Sequence, residues 1–469
     1  MERDCDVAIV GGGGAGLAAA HTAAAHGSRV LLFDAAAKLG GATALSGGVL
    51  YAAGTRVQQQ RGIHDDTPEK MFAYCMILNQ YKLDADMVLR LCRDAADALH
   101  WLMDLGVSFP PENLYAAGLD GVLRGHRAKG MGAEIVQRLE GHLGNHDRID
   151  VARRSRVTGL APSGEGWKLD VDGATISAAA VILTTGGFGA NRALLHHLYP
   201  DAMHYPDWGR YIGPAENVGD GLKLAQFHGA AVTGFNRGAL LLTPNFSADF
   251  EPYTPPWLAL VDREGQRFID ETLDYSVMAG AVLERPGHEC FAVFDEDARL
   301  RARQHVKSAD AKRIYPYASW SGEKLEEMAE RGTVYRADTL EGLSCKLGMR
   351  PGALAVLAAQ VNRDVDAGGR DTRCLKSAEH LAPIRRAPFY AARMRPAVVG
   401  TTHTGLRTDT VGRVIGEDGS AIPGLYAAGE IVGNILGDRY VGGGNSLSNS
   451  FVFGRLAGES ASSFARKLE

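Results

Sequence analysis

The chain has 469 residues, which at roughly 150 residues per domain suggests about three domains or two large ones. Hydrophobic residues at 45% and charged residues at 22% are ordinary for a folded globular protein and exclude a disordered one. The net charge of −5 leaves no basic excess for a nucleic-acid backbone, and no apolar run reaches the roughly 18 residues of a membrane span. Glycine is the outlier: 58 residues, about 12% against a usual value near 7%, and they are clustered.

The N-terminus shows no basic segment followed by a long apolar one, so a cytoplasmic protein is expected. A strand is predicted over 6–10, a helix over 17–26 ended by Gly27, and a second strand over 29–33. Residues 68–105 carry helical periodicity, 135–143 form a further helix, and 150–185 read as strands around Gly164-Glu165-Gly166. From about 236 to 387 the chain gains charge and aromatics and loses its glycine clusters. The expected architecture is α/β: a discontinuous Rossmann-type domain (1–235 and 388–469) carrying an inserted α+β substrate-binding cap over 236–387. The cysteines (Cys5, Cys75, Cys92, Cys290, Cys345, Cys374) form no CxxC pair and no zinc spacing, so reduced thiols and no metal site are expected.

The turn Gly11-Gly12-Gly13-Gly14-Ala15-Gly16 contains G-x-G-x-x-G at Gly11, Gly13 and Gly16. It follows a strand, opens a helix, and precedes Asp34 at the end of the next strand, which is the context of a dinucleotide site. Gly11 permits the turn, Gly13 admits a pyrophosphate, Gly16 lets helix and strand pack closely, and Asp34 accepts from a ribose hydroxyl. Three further clusters follow: Gly40-Gly41-Ala42-Thr43-Ala44-Leu45-Ser46-Gly47-Gly48, Thr184-Thr185-Gly186-Gly187-Phe188-Gly189, and Tyr426-Ala427-Ala428-Gly429-Glu430. A nicotinamide domain needs only the first turn. A flavin dinucleotide needs backbone contact along its whole length.

In this order the clusters resemble the FAD-dependent fumarate reductase / 3-ketosteroid dehydrogenase superfamily over nearly the whole chain. Asn217-Val218-Gly219-Asp220-Gly221, Pro388-Phe389-Tyr390-Ala391 and the tail from Gly443-Gly444-Asn445-Ser446 to Phe453-Gly454-Arg455-Leu456-Ala457-Gly458 extend the likeness. The resemblance implies that Glu430 holds ribityl or ribose hydroxyls and that Ser446 and Leu447 lie at the isoalloxazine. It adds Ala35, Lys38, Val157, Thr185, Asn191, Gly219, Asp220, Gly429 and Asn445 as cofactor positions. The Gly40–Gly48 turn lacks the histidine that some relatives join covalently to the flavin, so non-covalent FAD is expected.

Two branches of chemistry remain. In the reductase branch Arg267, in Arg267-Phe268-Ile269-Asp270-Glu271, takes the place of a proton-donating arginine, or else simply pairs with Glu271. The substrate histidine's position falls on Thr401, with His403 two places late, and the last clamp arginine's on Val441, with Arg439 offset by two. The ketosteroid branch has a tyrosine four residues beyond that segment, matched by Tyr275, and a Tyr-x-Gly-x-Gly matched by Tyr440-Val441-Gly442-Gly443-Gly444. By that resemblance Tyr275 removes the α proton of a ketone, and Tyr440 O–H with Gly444 N–H grips its oxygen. The resemblance also implies that the hydride goes to flavin N5. A third tyrosine would assist the base, with Tyr115 the first candidate and Tyr81 the second.

The Δ4 variant sets a serine near the second tyrosine. Ser446 lies too far along the chain for that, which puts Δ1-type geometry first. The expected substrate is a cyclic ketone, either a 3-ketosteroid or a smaller cyclohexanone such as 4-oxocyclohexanecarboxylate. An external electron acceptor is expected because no haem or iron–sulfur ligands are present. The alternative is a soluble α,β-unsaturated acid reductase with Arg267 as proton donor. His126 reads as a surface or cleft histidine, and Arg385-Arg386 as a solvated pair.

Overall fold

The computed structural model describes residues 3–144, 146–246, 254–302 and 320–468. They form two compact units. One comprises Met1–Pro200, Tyr211–Ala239 and Gly400–Glu469; the other comprises Asp201–Arg210 and Leu240–Val399. The insert is therefore wider than 236–387 at its C-terminal side. The long strand Phe389–Thr402 begins in it and passes out through Val399.

The first unit is built on a parallel sheet. Cys5–Val10 lies between Val30–Asp34, with Val7 opposite Val30, and Ala174–Leu183, with Val7 opposite Ala180. Ile149–Arg153 and Ala421–Ala427 extend it on either side, again in parallel. Val7, Ala8, Ile9 and Ala179 to Leu183 are wholly buried, as strands covered on both faces require. Val157–Ser163 and Gly166–Val171 form an antiparallel flap on Ala174–Leu183.

Helix Gly14–Ala25 starts three residues earlier than expected because the glycine turn itself forms its first turn. Gly27, at φ +95°, ends it. The tail motif turns out to be a packing device. A Cβ on Gly454 would lie 2.5 Å from the Ala15 carbonyl oxygen, and one on Gly458 2.5 Å from that of Ala19. Small residues here let the last helix, Asn445–Arg466, lie directly on helix Gly14–Ala25. The periodic stretch 68–105 divides into Pro68–Leu78, capped by Thr67, and Ala85–Asp104, capped by Asp84. The break falls at Gln80 and Tyr81, which take left-handed φ of 54° and 57°.

The second unit is antiparallel. Cys290–Asp295 pairs with Phe389–Thr402, Cys290 facing Met394, and with Ala259–Val261. Val334–Ala337 pairs with the other side of Phe389–Thr402. Helix Ala353–Ala367 buries Leu354, Leu357 and Val361 in the same core as Val261, Phe291 and Val293.

Candidate active site

In the first unit the phosphate turn is held from three directions. Thr184 Oγ1 donates to the Gly11 carbonyl (2.7 Å), Gly40 N–H to that of Gly12 (2.8 Å), and Gly14 N–H to Thr43 Oγ1 (3.2 Å). The Asp34 carboxylate accepts from Gly12 N–H and Ala36 N–H, both at 2.7 Å. Burial nonetheless raises its pKa above the ordinary carboxylate value. A Cβ on Gly16 would stand 1.9 Å from the Gly11 carbonyl oxygen, whereas one on Gly13 meets no atom within 4 Å. Gly13 therefore faces open space at the N-terminus of a helix, the setting in which backbone N–H groups receive a pyrophosphate.

The other predicted cofactor positions lie around this turn. Ser46 Oγ donates to the Thr43 carbonyl and accepts from Gly48 N–H, fixing the second glycine loop. Gly40 and Gly41 have positive φ, Ala35 and Gly47 are half-buried, Lys38 is exposed, and Val157 is buried. Asn191 caps helix Arg192–Leu198 and donates to the Val218 carbonyl (3.0 Å), and Asp220 pairs with Arg156. The side chains of Asn191 and Asp220 thus hold protein groups.

Glu430 follows Gly429, whose φ is +86°. Its Oε1 accepts from Thr402 N–H (2.9 Å) and Thr402 Oγ1 (3.1 Å). Burial pushes its pKa up to about 7 against those hydrogen bonds. Nearby stretches carry buried polar atoms with no hydrogen-bond partner: Thr185 Oγ1, Asn445 Oδ1 and Asn449 Oδ1. Such orphans cost about 1–3 kcal/mol each unless a ligand or water satisfies them. A polyhydroxylated dinucleotide would offer donors of the kind these atoms lack, and with the open phosphate turn at Gly13 the residues present fit FAD.

Tyr440 is buried at the N-terminus of helix Asn445–Arg466. Its hydroxyl accepts from Ser446 N–H (3.0 Å) and donates to Ser446 Oγ (3.2 Å). The sequence had put this serine out of reach. Gly442 and Gly444, at φ of 136° and 114°, fold the chain back so that residues six apart meet. Leu447 follows Ser446 on the same first turn and is buried.

Tyr115 stands beside this turn. A Cβ on Gly443 would come 2.7 Å from its hydroxyl, and the Arg127 guanidinium lies 5.1 Å over its ring. Tyr81 is exposed, at 68%. Sequence reasoning missed two residues that place the turn. Tyr74 donates to the Val441 carbonyl (3.0 Å) and accepts from Leu119 N–H (2.7 Å). Asn79 brackets Arg439, accepting from its N–H (3.2 Å) and donating to its carbonyl (3.0 Å).

Two of the histidines, His403 and His126, are core residues. His403 is buried, with Nδ1 on the Gly437 carbonyl and Nε2 2.7 Å from Thr401 Oγ1. Its ring stacks beside Tyr440, with centroids 6.0 Å apart. His126 is also buried, not at a surface or cleft as the sequence suggested, between Thr55 Oγ1 and the Arg124 carbonyl, each at 2.8 Å. Burial lowers both imidazole pKa values to about 4, so both are neutral at pH 7.

In the second unit Arg267 is 4% exposed. It meets Glu271 through two hydrogen bonds (3.0 and 2.8 Å) and Asp371 at 3.2 Å. Lys376 completes the cluster on Glu271 at 3.0 Å. The pairing with Glu271 needs no helix, because the segment is a turn. Tyr275 is half-buried as the first residue of helix Tyr275–Leu283, which Asp274 caps. Arg385 and Arg386 are half-exposed and pair with Asp366 and Asp297. Cys5, Cys75, Cys92 and Cys290 are buried, Cys374 is half-buried and Cys345 exposed, all as free thiols. Among the described residues no helix is long and apolar enough to cross a membrane.

The family model described as "FAD binding domain" matches residues 6–447. The chain is 29% identical to the fumarate reductase (cytochrome) of Shewanella frigidimarina over 480 residues, 98% of this chain and 78% of that protein. It is 27% identical to the urocanate reductase of Eggerthella lenta over 483 residues, 99% of this chain and 76% of the other. In fold it is similar to the 3-ketosteroid Δ4-(5α)-dehydrogenase of Rhodococcus jostii, with a TM-score of 0.78 at 24% identity, covering 98% of both chains. The open phosphate turn, the orphaned polar atoms and a family match over nearly the whole length agree: the chain belongs to the FAD binding domain family and is an FAD-dependent oxidoreductase.

Proposed function

We propose that this oxidoreductase introduces a C=C bond next to the carbonyl of a cyclic ketone, a 3-ketosteroid or a smaller cyclohexanone. The observation that carries this reading is the Tyr440 hydroxyl seated on a helix N-terminus by Ser446. Removing an α proton moves negative charge onto the ketone oxygen, which then needs strong donors. The Ser446 N–H and the helix dipole draw charge from the Tyr440 oxygen, so its proton, held on Ser446 Oγ without substrate, becomes a better donor once a ketone oxygen takes that place. The nearby serine is also the arrangement that the Δ4-type resemblance implies. In this reading Tyr275 is the base that takes the α proton, Tyr440 holds the ketone oxygen, and Tyr115 assists. FAD, when bound, supplies the acceptor for the departing hydride, and an external acceptor takes the electrons onward.

A dicarboxylate clamp is less well supported by the residues. His403 is neutral with both ring nitrogens engaged, and Arg267 is tied to two carboxylates inside its own unit. A second reading, reduction of an α,β-unsaturated acid, is favoured by the names of the fumarate and urocanate reductases to which the chain is similar. Anaerobic flavin absorbance separates the two. Oxidised protein is mixed with a 3-ketosteroid, 4-oxocyclohexanecarboxylate, cyclohexanone or succinate. Bleaching by a ketone is the expected result. No bleaching by any ketone, with re-oxidation of the chemically reduced protein by fumarate or urocanate, would overturn the proposal in favour of the second reading.

A further inference from the structure

The second unit holds an imbalance of charge that the proposed reaction does not use. Glu289 is 2% exposed, and three guanidinium groups surround it. Arg263 meets its Oε1 at 2.9 Å, Arg395 its Oε2 at 2.8 Å, and Arg393 stands 3.9 Å from Oε2. Among the described residues Glu289 is the one acidic side chain within salt-bridge reach of these arginines, so the cluster carries two positive charges in excess. The arginines hold the Glu289 carboxyl below its ordinary range despite its burial.

The three arginines are not equivalent. Arg395 is fully engaged: both hydrogen bonds go to Glu289, and its guanidinium lies 4.0 Å over the Tyr205 ring and 4.5 Å over the Trp208 ring. Arg393 donates one Nη to the Tyr335 hydroxyl (3.0 Å), while its Nε is buried with no partner. The side chain of Arg393 is 32% exposed and that of Arg263 is 50% exposed. Donors therefore remain on the two arginines that solvent reaches. The Arg395–Glu289 pair between them is backed by the Tyr205 and Trp208 rings.

We propose that Arg263 and Arg393 form a subsite for a small oxyanion carrying two negative charges, either a phosphate group or a dicarboxylate. Guanidinium forks match both, because each presents oxygen pairs at hydrogen-bonding spacing. Like charges packed around one carboxylate repel, and a divalent anion brings the cluster to neutrality.

The test is isothermal titration of the FAD-loaded protein with inorganic phosphate and, separately, with malonate, at low ionic strength in a buffer free of oxyanions. Saturable one-to-one binding is expected, with the tighter of the two identifying the source of the charge. Arg393→Gln and Arg263→Gln should each weaken it at least tenfold, without changing flavin content or the thermal midpoint. Arg263→Gln keeps the test decisive, because this half-exposed side chain can be removed without opening the core. No saturable binding of either anion, or binding unchanged in both variants, overturns the proposal.

Discussion

Two neighbouring glycines of the phosphate turn should fail in opposite ways when each is replaced by alanine. At Gly16 the new methyl would stand 1.9 Å from the Gly11 carbonyl oxygen and 2.8 Å from Thr184 Oγ1. The first is backbone at the end of a buried strand and cannot swing aside, so Gly16→Ala should cost about 1–3 kcal/mol or more of folding stability. At Gly13 the methyl meets nothing within 4 Å, and the backbone at φ −71°, ψ −175° suits alanine. Alanine gains about 0.4–1 kcal/mol from a stiffer unfolded chain and loses a similar amount as a poorer N-cap, so the apoprotein should melt as wild type does. What Gly13→Ala blocks is the approach of a phosphate to the turn. Losing one hydrogen bond to a charged group, about 1.5–3 kcal/mol, weakens FAD binding by roughly 10- to 150-fold. Apoprotein melts with fluorescence titration of FAD measure the two effects separately. Wild-type FAD affinity in Gly13→Ala would refute the assignment of the turn, as would a loss of melting temperature matching that of Gly16→Ala.

Tyr440→Phe deprives Ser446 N–H of its acceptor, and the proposal expects ketone turnover to fall about 10²- to 10³-fold with flavin content unchanged. Tyr275→Phe should abolish turnover while FAD stays bound; wild-type steady-state rates would end its assignment as the base. Arg267→Met leaves Glu271 and Asp371 short of a buried partner and should destabilise the protein by about 3–5 kcal/mol in thermal melts. An Arg267→Met protein that is fully stable but inactive would restore the proton-donor role. Glu430 sets a pH dependence. Its pKa of about 7, against an ordinary 4.5, means the folded apoprotein keeps a proton that the unfolded chain has released between those values. Stability should therefore fall as pH rises from about 4.5 to 7, by at most about 3 kcal/mol, and stay level above. Glu430→Gln should flatten that slope in melts from pH 4.5 to 8; an unchanged slope places its origin elsewhere.

What could be read from the sequence was local. The phosphate turn was legible because strand, glycines, helix and Asp34 lie within 30 consecutive positions, 5 to 34, where Gly11 and Gly16 each answer to a nearby backbone atom and Gly13 to open space. The helix start was misplaced because glycine carries a poor helical propensity, which the close packing overrides. The rest depends on distant partners. His126 meets a threonine 71 residues away, Arg267 an aspartate 104 away, and Tyr74 a carbonyl 367 away. No spacing rule reaches across such intervals. Ser446 failed for another reason: counting along the chain assumes an extended path, and Gly442 and Gly444 bend it.

Similarity to reductases and a site read as a desaturase are compatible, because the two reactions pass through transition states of the same kind in opposite directions. Both move a proton at the carbon α to a carbonyl and a hydride at the β carbon, and the available electron acceptor or donor sets the direction. The carbonyl's neighbour is what must differ. A carboxylate already carries a full charge, so an enzyme that acts beside one needs fixed cations to hold it as further charge develops. A ketone is neutral, and strong uncharged donors suffice. A fixed cation there would also favour binding anions that are not substrates. Around Tyr440 the chain presents a hydroxyl, a helix N–H, a serine and a histidine kept neutral by burial. Among the described residues the best-buried arginine, Arg124, is spent on Asp66, Asp120 and Tyr51. One guanidinium, Arg127, does lie beside this turn, 5.1 Å over the Tyr115 ring, so converting the site toward acids would take a cation at Tyr440 itself rather than a new base. Ser446→Arg should lose ketone turnover and gain fumarate affinity, measured as quenching of the oxidised flavin. Retention of ketone turnover in Ser446→Arg would show that Tyr440 does not need the serine.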